Sequence, residues 1–69
     1  MGKDKYHKFK EISEIVGKFI LELFGEESKE NYSYLMLYTI TLLNFGEKEE
    51  ARNAFEKAEK IGEKIGNEA

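Results

Sequence analysis

The sequence predicts an all-α fold, a three-helix bundle that forms one domain over residues 1–69. Three observations carry that reading. Proline is absent and the chain is rich in the strong helix formers Glu, Lys, Leu and Ala. Apolar residues recur at steps of three and four, the period of an amphipathic helix. The chain is also punctuated twice in the same way. Leu23-Phe24-Gly25-Glu26 and Asn44-Phe45-Gly46-Glu47 each close an apolar run with Gly and restart with acid. A Gly just past the last turn takes the left-handed conformation that stops a helix, and a Glu beyond it suits the positive end of the next helix.

The first helix is expected over residues 4–24. Its apolar positions are Tyr6, Phe9, Ile12, Val16, Phe19, Ile20 and Leu23, and Asp4 is the candidate N-cap. Gly17 interrupts it, at a cost of about 1 kcal/mol relative to Ala, which points to a close helix crossing. The second helix is expected over residues 29–45 with Ser28 as N-cap. The third is expected over residues 47–65, with Ala51, Ala54, Phe55, Ala58, Ile61 and Ile65 along a narrow stripe and a Glu56–Lys60 surface pair on the far side. Gly62 and Gly66 predict fraying at its end.

Helix 2 is the informative element. At 100° per residue, Leu35, Tyr38, Leu42 and Phe45 cover one side, Met36, Ile40 and Leu43 the opposite side, and Leu37 lies between them. A helix that is apolar all round is a buried helix. Two neighbours cover two flanks, so a third strip either packs unusually completely or meets a partner.

Residues 35–58 resemble a single tetratricopeptide repeat, a helical hairpin used in protein recognition. The second-helix signature falls on Ala51, Phe55 and Ala58, the entry to that helix on residues 46–51, and the first-helix pattern on Leu35, Tyr38, Thr39 and Leu42. The Trp, Gly and closing Pro of the repeat are missing. The resemblance implies that Ser33, Met36, Ile40 and Leu43 line a concave groove suited to an apolar or amphipathic helix. The basic and amide positions that clamp peptide carboxylates in one groove type have no counterpart here. Independently of the family, small Ala side chains let two antiparallel helices approach, with Phe55 filling the gap between them.

Composition narrows the function. A core this small needs disulfides, a metal, very good packing or oligomerisation. Cys is absent and His7 is the only His, so no disulfide, structural zinc or other cofactor is expected. A sequence pI near 5.2 and a net charge of −3 have the wrong sign for a general nucleic-acid binder. Only the first ten residues run the other way, with Lys3, Lys5, Lys8 and Lys10 against Asp4, which leaves phosphate contact there as an alternative. His7 reads as a surface partner of Glu11. The carboxylate clusters read as helix-start acids, and the P-loop, EF-hand and dinucleotide motifs are absent. The longest apolar stretch, residues 35–45, is too short to span a bilayer, and no export signal is read at the start. A cytoplasmic location is therefore the expectation, with no membrane role.

These readings converge on a non-catalytic interaction module. It would associate with itself or with an apolar helical segment of another protein through Tyr34, Met36, Ile40 and Leu43. A thermostable or designed helical bundle with no specific activity is a further alternative, because a Lys/Glu surface with clean helix stops fits either.

Overall fold

The computed structural model describes the backbone of residues 3–68 and the side chains of residues 4–66. The side chain of Lys3, counted above in the basic segment, lies outside the described residues. Three helices follow one another: α1 (Lys3–Phe24), α2 (Lys29–Asn44) and α3 (Lys48–Glu68). The all-α expectation and the order of its elements hold, with ends within a few residues of those expected. Asp4 is a first-turn residue of α1 rather than its cap, and α3 continues through Gly62 and Gly66 instead of fraying there.

Both glycine stops have the predicted backbone. Among the described residues, Gly25 and Gly46 are the positive-φ residues, at 88° and 84°. At the second stop the amides of Glu47 and Gly46 donate to the carbonyls of Leu42 (2.9 Å) and Leu43 (3.0 Å). This double closure satisfies carbonyls of the last turn of α2. Ser28 caps α2 in an extended conformation, its hydroxyl accepting from the Asn31 amide at 3.1 Å.

α2 and α3 form a tight antiparallel hairpin, whereas α1 meets α2 less closely and its backbone does not meet α3. The Cα atoms span 42 × 23 × 12 Å. A width of 23 Å matches three helices side by side at about 9 Å spacing, so the helices form an arched row with α2 in the middle. The core sits in the hairpin, where Leu42, Ala51 and Ala54 are buried together, with Tyr6, Phe9 and Tyr38 packed against them. Ala58 and Ile61 extend it along α3. The small alanines draw the two backbones together, and Tyr32 lies against Gly62, where a Cβ would stand 3.0 Å from its ring. There is no gap left for Phe55. It stays at the rim, 40% exposed, in contrast to its expected place between the helices.

The buried polar groups are satisfied by their own neighbourhood. Thr39 Oγ1 donates to the Leu35 carbonyl at 2.8 Å, and Asn31 Nδ2 to the Glu26 carbonyl at 2.9 Å. Thr39 and Asn31 can therefore sit on an otherwise apolar helix without the cost of a lost hydrogen bond.

Candidate functional site

The two ends of α1 are placed very differently. Near its start, Phe9 stacks on Tyr38 and on Phe45 with ring centroids 5.3 and 5.5 Å apart, and Tyr6 meets Phe45 edge-on at 5.3 Å. Lys10 donates to the Glu50 carboxylate and to Tyr38 Oη, while Tyr6 Oη donates to the other Glu50 oxygen at 2.8 Å. The Lys10 ammonium also lies 5.6 Å from the centre of the Tyr38 ring. These donors, Lys10 first and Tyr6 second, hold the Glu50 carboxyl below its ordinary range. The same hydrogen bond from Lys10 to Glu50 holds the ammonium above its own. Glu50 thus ties α1 to α3 where the backbones do not touch.

Half-way along α1, Gly17 accepts the ring of Tyr34. A Cβ at Gly17 would lie 2.9 Å from Tyr34 Oη, and that hydroxyl donates to the Ser13 carbonyl. Gly17 makes room as expected, but for the end of the Tyr34 side chain rather than for a close approach of two backbones. Beyond this point α1 and α3 diverge and leave a groove of about 820 Å³, floored by Asn31, Tyr34, Leu35 and Tyr38 and flanked by Lys18 and Leu21 on one side and Lys57 and Ile61 on the other. A Lys64–Glu27 ion pair at 2.7 Å crosses its far end.

The groove is not the one implied by the repeat resemblance. Ser33, Met36, Ile40 and Leu43 do not line it. They lie on the side of α2 turned away from it, where Ile40 and Leu43 are exposed and Met36 is half-buried. Tyr34 points the other way, into the α1 seam. The structure therefore brings Met36, Ile40 and Leu43 together and separates Tyr34 from them.

The larger apolar surface is on α1. Ile12, Val16, Phe19 and Leu23 repeat at steps of three and four, with Ile15 beside them, and all five are exposed, Phe19 to 58% and Leu23 to 73%. The contacts of Ser13 and Gly17 with Tyr34 fix which side of α1 faces α2. By helical period, the stripe then lies on the outer side, opposite the groove. Leu37, 66% exposed, and Ile40 lie on the same outer side of α2, so one apolar face crosses both helices. The alternation of apolar residues in α1 was legible in the sequence. That α2 covers only the edge carrying Phe9, Ser13, Gly17 and Ile20 was not.

Other sequence expectations are placed as follows. Neither His7–Glu11 nor Glu56–Lys60 forms an ion pair among the described residues; His7 instead neighbours the Tyr6 ring. Of the basic segment, Lys10 is engaged by Glu50, and Lys5 and Lys8 remain exposed. Among the described residues no three His, Cys, Asp or Glu side chains converge as metal ligands, and no helix is long and apolar enough to cross a membrane. Comparison with protein families, with curated proteins and with solved structures finds no match. The repeat resemblance therefore rests on the helical hairpin alone.

Proposed function

We propose that this chain is a non-catalytic protein-interaction module whose working surface is the outer apolar face of α1 and α2. The observation that carries the reading is the run of exposed large side chains from Ile12 to Leu23, continued on α2 by Leu37 and Ile40. Scattered exposed apolar residues need no explanation, whereas a contiguous face of this kind marks a place where another surface docks. Its occupant is an apolar helical surface, either a second copy or a segment of another protein, because a ridged helix pair offers grooves that fit helical side chains. Met36, Ile40 and Leu43 belong to this surface, and Tyr34 supports it from behind by fixing α1 on α2.

The absence of Cys makes the test simple. An environment-sensitive dye is attached through Ile40→Cys, and in a control through Lys60→Cys on the groove side. Adding a designed amphipathic Leu/Lys helix, or concentrating the protein itself, is expected to blue-shift the dye at position 40 and leave the control unchanged. No shift at position 40 under either condition would end this reading.

A further inference from the structure

We propose that the occupant of the outer face is a second copy of this chain, joined through an antiparallel pair of α1 helices about a two-fold axis between Ile15 and Val16. The inference rests on the interaction-face reading and specifies its partner. Two independent observations carry it.

The first is area. A compact monomer of 8.0 kDa exposes about 4,450 Å² by the size scaling of folded proteins, whereas this chain exposes 5510 Å². The surplus of about 1,000 Å² is close to the ~800 Å² that each partner loses in a standard stable interface. The arched row is one helix layer, and stable domains bury their apolar faces between two. A second copy laid against the outer face supplies the missing layer.

The second is charge along one flank of the stripe. Lys8 and Glu22 stand seven residues before and after Ile15, on its side of α1, and both are exposed. An antiparallel pair centred between Ile15 and Val16 sets Lys8 beside Glu22 of the second copy, and the two-fold repeats the pair. The same register places Ile15 against Val16 and Ile12 against Phe19, so apolar and ionic matches coincide. This gives the exposed lysine at the start of α1 a role that does not involve nucleic acid. Leu37 and Ile40 of α2 border the pair and extend the buried surface.

The test is a charge exchange between two variants. Lys8→Glu makes both positions of the pair acidic, and Glu22→Lys makes both basic. Both positions are exposed, and circular dichroism confirms that each variant keeps its helices. The native chain is expected to sediment at twice 8.0 kDa. Each variant alone is expected to bind itself at least about tenfold more weakly, the size of a like-charge penalty of roughly 1.4 kcal/mol. An equimolar mixture of the two regains the double mass. If each variant alone associates as tightly as the native chain, or the mixture does not recover, the antiparallel α1 pairing is overturned. A native chain that stays at 8.0 kDa while the dye at position 40 responds to the Leu/Lys helix overturns the second copy and leaves the interaction face standing.

Discussion

The second half of α1 holds more of the helix's large apolar residues than the first, yet it is the first that is packed. The first half is pinned by Tyr6, Phe9 and Lys10, which reach across to Phe45, Tyr38 and Glu50. The second half carries Val16, Phe19 and Leu23 into solvent. The difference is one of neighbours. At the pinned end, large rings on α1 and α2 bridge a spacing that backbones do not close, and one carboxylate reaches over from α3. At the free end the residues that α1 turns toward α2 are Ser13 and Gly17, which are small, and Tyr34 lies flat over them. The large side chains of that half point outward, and nothing in the same chain reaches them. A helix can thus be anchored at one end and left open at the other within the same chain.

Four substitutions probe that contrast, in decreasing order of effect. Phe9→Ala removes a half-buried ring stacked on two others and is expected to cost about 2–3 kcal/mol, somewhat under the range for a wholly buried Phe. Chemical denaturation reads this as a lower midpoint with little change in slope. Ser28→Ala removes the cap that starts α2 and should cost about 1 kcal/mol, visible in the same experiment.

Glu50→Gln removes the carboxylate that ties α1 to α3. Because Glu50 and Lys10 are partly exposed, no more than about 1 kcal/mol is at stake. The sign with pH is fixed. The carboxyl is held below its ordinary range, so its contribution is present above the unfolded-state value near 4.5 and fades as pH falls through the lower folded-state value. The native chain should therefore lose more stability than Glu50→Gln between neutral pH and pH 3, as thermal melts at the two pH values will show. Equal losses would remove Glu50 from the account.

Phe19→Ala, ten positions further along α1 than Phe9 and on its outer side, should change the stability of the dilute monomer by less than about 0.5 kcal/mol, as exposed positions do, while weakening self-association measured by sedimentation. A large loss in the monomer would mean that Phe19 is packed within its own chain.

Much of the fold was legible because its signals are local. Gly25, Gly46 and Ser28 set the helix ends by backbone chemistry that a few neighbouring residues determine, and Gly17 marked a close approach, which is that of the Tyr34 ring. Features that depend on residues far apart in the chain were not legible. The Tyr6–Glu50 and Lys10–Glu50 contacts join α1 to α3, and in the sequence Glu50 is simply one of several acids at a helix start. Phe55 was misplaced because the signature that names it says nothing of how closely Ala51, Ala54 and Ala58 let the helices approach. The outward apolar face was half read. The third strip of α2 was expected either to pack unusually completely or to meet a partner, and Met36, Ile40 and Leu43 lie on its outer side. The stripe on α1 was hidden because periodicity marks an apolar face without saying what covers it.

Amide hydrogen exchange along α1, followed at low and high protein concentration, tests the contrast between its two halves most directly. The account predicts that residues 6–13 are protected at both concentrations, and that residues 15–24 gain protection only in concentrated samples, when a second copy covers them. Equal protection of both halves at every concentration would contradict it, because α1 would then be fully held by its own chain.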